Sequence, residues 1–139
     1  SKILKFKNKE EKTPDILIVI EEAHEFVSVE RRERMFATIS LLSEIARRGR
    51  KRGICLCFVS QQPSHLPYEM FELCNTRIIH KIGSKQNIDA LRYSTGGIPE
   101  ELWRQVPNMR TGEALISTPY LEYAILGRVR PNESKREFI

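Results

Sequence analysis

The sequence predicts an α/β domain, with a mostly parallel sheet covered by helices and an antiparallel pair closing its C-terminal end. Two observations carry this. Ile16 to Ile20 is a run of five aliphatic residues without alternation, the pattern of a strand buried on both faces in a parallel sheet. Before the next such run, Ile54 to Val59, the residues Met35, Ile39, Leu42 and Ile45 recur at helical spacing, so that strand, helix and strand alternate.

The first strand stops on two carboxylates, Glu21 and Glu22, followed by Ala23 and His24. Open α/β sheets bind ligands at the carboxyl edge of their strands. An acidic pair there is what a Walker B element needs: one carboxylate for a Mg²⁺ shell and a second to orient or deprotonate the attacking water. Acids at a helix start are the other reading, because the helix dipole favours them. Arg47, Arg48, Arg50, Lys51 and Arg52 follow at the end of the predicted helix, with Gly49 and Gly53 among and behind them. Cations at a helix C-terminus are stabilised by the dipole and can be a solvated helix end. Arginine also presents a fixed fork to phosphate, so nucleotide or nucleic acid phosphates are the competing assignment.

The second strand ends in Ser60, Gln61, Gln62 and Pro63, at what should be the same sheet edge as Glu21 and Glu22. Gln61 is placed to sense a γ-phosphate or hold a water, or else the segment is only a strand-ending turn. A short helix is expected over Tyr68 to Leu73 and a third strand over Arg77 to Ile82. Ser84 reads as the N-cap of a helix running toward Tyr93. Pro99, at a first helical position, opens a short helix through Trp103. Trp103 is read as a packing anchor, since one isolated aromatic makes no base-stacking surface. Gly112 to Ser117 and Leu121 to Arg128 read as the closing antiparallel pair. Tails are expected at 1–14 and 131–139, leaving 15–130 as the folded region.

Composition bounds the function. With 139 residues, 40% hydrophobic and 29% charged, one globular domain with a real core is expected. No apolar stretch approaches the roughly 20 residues that cross a bilayer, and no apolar signal region follows the first lysines, so a soluble, cytoplasmic chain is expected. Three cysteines in apolar contexts, Cys55, Cys57 and Cys74, argue against a secreted disulfide framework and read as buried thiols. With His24, His65 and His80 scattered, they lack the paired spacing of a zinc site. A net charge of +5 permits a polyanionic partner.

Taken in order, "ILIVIEEAHEF", "IARRGRKRGICLCFVSQQPSHLP", "NTRIIHKIGS" and "MRTGEALIS" resemble the C-terminal half of the RecA-like motor domain in the HerA/FtsK superfamily, closest to archaeal HerA-type ATPases of DNA end resection. The resemblance runs from about Asp15 to about Pro131, and its specificity lies in the ordered set. It implies a three-layer α/β/α P-loop NTPase fold, ATP and Mg²⁺ as cofactors, a hexameric ring, double-stranded DNA in the pore and a possible partner nuclease. By the same similarity Glu22 matches the catalytic glutamate and Glu21 the acid that holds Mg²⁺ through water. Gln61 matches the polar sensor, and Arg50 an arginine used near a nucleotide, often the neighbouring subunit's, with Arg47 the next candidate. Glu21 stands where most P-loop enzymes carry Asp, and Gln62 where many relatives have Arg.

No G-x-x-x-x-G-K-[ST] occurs; the nearest fragment, Gly83, Ser84 and Lys85, has the wrong order. A Walker A loop supplies the backbone cradle for the phosphates, so the expectation is a piece of a longer motor, inactive alone. The alternatives are a non-catalytic oligomerisation or nucleic-acid-binding module that kept the fold, and a metal-dependent nuclease using Glu21 and Glu22 directly.

Overall fold

The computed structural model describes residues 16–30 and 32–131, with only the backbone of Arg32 and Arg50. The expected tails, apart from Pro131, lie outside the described residues. The chain divides into two compact units, Ser1–Cys74 and Asn75–Ile139.

In the first unit β1 (Ile16–Ile20) and β2 (Ile54–Phe58) pair in parallel, in register from Ile16 beside Ile54 to Ile20 beside Phe58. A parallel pair needs a crossover, and α1 (Arg32–Arg48) supplies it. The helical spacing seen in the sequence decides which face turns inward: Ile39, Leu42 and Ile45 are buried. Ile39 and Leu42 cluster with Ala23, Val27 and Met70, the last from α2 (Tyr68–Leu73). Ile45 packs on Ile54, with Ile18 and Leu56 against them. Fully burying such side chains contributes roughly 1.5–3 kcal/mol each.

Strand burial differs from the expectation in one respect. Leu17 and Val19 are 64% and 51% exposed, so β1 is covered on one face among the described residues, not on both. The pleat sends alternate side chains to opposite faces, and the helices of this unit pack on the face of Ile18, Ile20, Leu56 and Phe58. Cys55 lies in register with Leu17 and is exposed, while Cys57 and Cys74 are half-buried. The reading of buried thiols is therefore corrected, because Cys55 shares the uncovered face.

The link from α1 into β2 depends on glycine. Gly49 N–H donates to the Ile45 carbonyl at 2.7 Å, and its own carbonyl accepts from Arg52 and Ile54 at 2.7 and 2.9 Å. A Cβ at Gly49 would stand 2.5 Å from the Ile45 carbonyl oxygen and 2.6 Å from that of Ile54. Both obstacles are backbone and cannot rotate aside. Gly49→Ala is expected to destabilise the chain by roughly 1–3 kcal/mol, the usual cost of overpacking. Urea denaturation checks this; an unchanged midpoint would show that the turn relaxes freely.

In the second unit β3 (Arg77–Ile79), β4 (Glu113–Ser117) and β5 (Ile125–Arg128) form an antiparallel sheet in that order. The closing antiparallel pair forms, but its last strand starts at Ile125 and not at Leu121, and antiparallel pairing extends one strand further, to β3, so the described sheets are not mostly parallel. This strand stops three residues short of the expected Ile82; just beyond it the His80 ring nitrogen meets the Glu113 carbonyl at 3.0 Å. Ser84 caps α3 (Lys85–Ser94), its hydroxyl accepting from the Asn87 N–H at 3.4 Å. Pro99 lies one position earlier than expected, at the cap of α4 (Glu100–Gln105), and Trp103 is buried as a packing residue.

Candidate active site

Parallel pairing brings the ends of β1 and β2 to one edge. The ladder continues past both strands, with Val59 N–H donating to the Ile20 carbonyl and Ala23 N–H to the Val59 carbonyl, each at 2.9 Å. Ala23 and Val27 are fully buried, which pins the chain beneath the edge. Glu22 lies between this anchor and the strand. Its backbone turns into the left-handed region, φ 47° and ψ 48°, the one non-glycine residue with positive φ among those described. Such a conformation costs on the order of 1–3 kcal/mol and persists where the surroundings impose it.

The Glu22 side chain makes specific contacts. Gln61 Nε2 donates to its Oε1 at 2.7 Å. On the other side, Oε2 stands 3.5 Å from His24 Nδ1. That nitrogen is also 3.2 Å from Ser60 Oγ, and His24 Nε2 is 3.6 Å from Glu25 Oε1. The helix-start reading of these acids fares poorly: the turn after Glu22, Ala23–Glu25, is a single 3₁₀ turn, and the Glu22 side chain makes no capping hydrogen bond.

Among the sequence candidates, Glu22 and Gln61 are thus brought into direct contact. Glu21 is exposed beside them. The arginines are elsewhere: Arg47 is exposed in the last turn of α1, and the Arg50 backbone lies in the 3₁₀ turn Arg50–Arg52, just before the amino end of β2. Glu22 and Gln61 lie past the carboxyl ends. Five residues at about 3.3 Å each put the two edges on the order of 15 Å apart. His24 and Ser60 are the residues that the sequence reading missed. The signal was present in the spacing, since parallel register from Ile20 beside Phe58 carries Glu22 to the neighbourhood of Ser60 and Gln61.

The residues present suit Mg²⁺, a hard cation that is commonly held by one or two carboxylates together with substrate phosphates. Glu21 and Glu22 offer such oxygens at an accessible strand edge. Among the described residues no group of three or more His, Cys, Asp or Glu is placed to hold a metal by itself.

Comparison with known proteins converges on one family. The chain is 35% identical over 104 residues to a Methanocaldococcus jannaschii protein named "Probable DNA double-strand break repair helicase HerA", covering 75% of this chain and 20% of that protein. It is 31% identical over 115 residues to the DNA double-strand break repair helicase HerA of Pyrococcus furiosus, covering 82% and 20%. The chain is homologous to a segment of HerA-type helicases. The HerA of Saccharolobus solfataricus matches at 36% identity over 101 residues, 73% of this chain and 20% of the relative. This HerA-like chain spans about a fifth of the length of the curated relatives it matches. No protein-family model matches it.

The fold is shared with a solved NTPase. The genome packaging NTPase B204 from Sulfolobus turreted icosahedral virus 2, in complex with ATP-gammaS, superposes with a TM-score of 0.63 at 12% identity, over 83% of the HerA-like chain and 52% of the viral one. At that identity the likeness speaks for an α/β NTPase fold alone. Among the described residues no helix is long and apolar enough to cross a membrane.

Proposed function

We propose that this chain is the C-terminal half of an ATP-driven DNA motor of the HerA type, which acts as a hexameric ring on double-stranded DNA in repair and end resection. The observation that carries the reading is the Glu22–Gln61 contact at the carboxyl edge of a parallel pair, on a chain homologous to HerA helicases. In the full protein a phosphate-binding loop outside these residues completes the nucleotide site.

Glu22 takes a proton from the attacking water as its oxygen bonds to the γ-phosphorus; the bond to the bridging oxygen breaks and ADP leaves. Gln61, on Glu22 Oε1, registers the γ-phosphate by exchanging this hydrogen bond for one to phosphate or water. Glu21 is the residue that would hold Mg²⁺, through water, and the ion when bound would supply positive charge to the phosphate oxygens. Arg50, at the far edge, serves the nucleotide of the neighbouring subunit, with Arg47 as second candidate.

DNA binding tests the motor reading against the non-catalytic module. A pore that tracks phosphates should bind duplexes of unrelated sequence equally, and should weaken by about 10³-fold or more between 50 and 200 mM salt, because each neutralised phosphate releases counterions. Within the second unit Arg92 is already paired with Glu100, which also faces Arg104 at 3.8 Å. Lys85, exposed at the start of α3, is the better position for charge reversal. Fluorescence anisotropy of the full protein at graded salt, with ATP hydrolysis measured with and without DNA, gives the outcome. Sequence-selective or salt-independent binding, or hydrolysis indifferent to DNA, would count against a translocating ring.

A further inference from the structure

We propose that His24 is a positioning residue for Glu22, holding the carboxylate from the side opposite Gln61; this rests on the assignment of Glu22 as the base. A carboxylate held at one oxygen can still swing about its terminal torsion. Glu22 is met at both: Gln61 Nε2 lies 2.7 Å from Oε1 and His24 Nδ1 lies 3.5 Å from Oε2. A productive base needs its lone pair aimed at one water, and a contact on each oxygen restricts that aim.

The ring of His24 is itself held. Its side chain is only 12% exposed. Ser60 Oγ stands 3.2 Å from Nδ1 and is fixed in turn by the Gln62 N–H, which donates to it at 3.1 Å. Nε2 faces Glu25 Oε1 at 3.6 Å, which gives the distal nitrogen an acceptor of its own. The His65 ring meets His24 edge-on, with centroids 6.4 Å apart and planes at 74°, and His65 Nδ1 faces Glu30 Oε1 at 3.8 Å. The neighbours of His24 therefore come from the segment after β1, the end of β2 and the turn Pro63–His65. In the tautomer that carries its proton on Nδ1, both Ser60 Oγ and Glu22 Oε2 stand within reach of it. His24, in the turn after β1, thus links the base to Ser60, in the segment after β2 that also carries Gln61.

The test uses the full protein and compares His24→Ala, His24→Asn, His24→Gln and Glu22→Gln for steady-state ATP hydrolysis and thermal unfolding. Asparagine places a polar atom near the position of Nδ1, and glutamine near that of Nε2. Expected is a kcat at least 10-fold lower in His24→Ala with KM for ATP within about 2-fold of wild type, and recovery of most of the rate in His24→Asn but not in His24→Gln. Equal rates in His24→Asn and His24→Gln, or a His24→Ala kcat within 2-fold of wild type, would overturn the role. Should His24→Ala unfold early, the ordering of the Asn and Gln variants decides by itself. Glu22→Gln separates the two claims: if it leaves hydrolysis intact the base assignment fails, whereas a slow Glu22→Gln beside unaffected His24 variants defeats the positioning role alone.

Discussion

Arg50→Ala and Glu22→Gln, each inactive in the full-length protein, are expected to regain ATP hydrolysis when mixed in one ring. The physical basis is the separation of the two sheet edges. Glu22 and Gln61 lie past the carboxyl ends of β1 and β2, while the Arg50 backbone lies ahead of the amino end of β2, at the opposite edge of the same subunit. An arginine that reaches a neighbour's nucleotide stabilises charge developing in the transition state and is worth about 10³- to 10⁵-fold in rate. A solvated arginine at a helix end contributes well under about 1 kcal/mol. Mixing creates sites that pair an intact Glu22 from one subunit with an intact Arg50 from the next, and hydrolysis should rise with the fraction of such sites. An Arg50→Ala protein that is fully active by itself would remove Arg50 from the mechanism. Arg47→Ala serves as the comparison, since Arg47 is exposed in the neighbouring turn.

Glu22→Gln in the full protein should leave ATP bound and slow its hydrolysis by about 10²-fold or more, the usual contribution of a positioned acid or base. Glutamine is nearly isosteric and keeps a carbonyl oxygen that can accept from Gln61 Nε2, so that hydrogen bond survives while the proton acceptor is lost. Nucleotide binding by filter retention and single-turnover hydrolysis distinguish the outcomes. Loss of binding with an unchanged rate per bound nucleotide would make Glu22 a structural residue. Glu22→Ala goes further, because it leaves the Gln61 amide without its carboxylate. It should therefore cost at least as much rate and some stability, the net value of a hydrogen bond to a charged group being about 1.5–3 kcal/mol.

Much of the molecule was legible from local chemistry. Ile16 to Ile20 reads as a strand, though not one with an exposed face, and Met35, Ile39, Leu42 and Ile45 read as one face of a helix, because side-chain periodicity is imposed by the backbone within a few residues. The cap at Ser84 and the packing role of Trp103 follow from equally local rules. Less legible were the properties that depend on what lies across from a residue. Cys55 reads as buried from its apolar neighbours in sequence, but it stands on the face with exposed Leu17. The pairing of β3 is of the same kind, since a short apolar run pairs equally well in either direction.

At the site the division is sharper. Sequence alone determined that two carboxylates end the first strand and two amides follow the second, and the ordered motifs carried the resemblance to HerA-type helicases, to a segment of which the chain is homologous. Only the tertiary structure decided that Gln61 meets Glu22, that His24 and Ser60 complete the surroundings of that carboxylate, and that the arginines lie at the other edge. The reason is physical. Strand ends are fixed by local residue preference, whereas parallel register and the left-handed turn at Glu22 arise from burying Ala23 and Val27 against residues far along the chain. That long-range packing sets which side chains are neighbours at the edge.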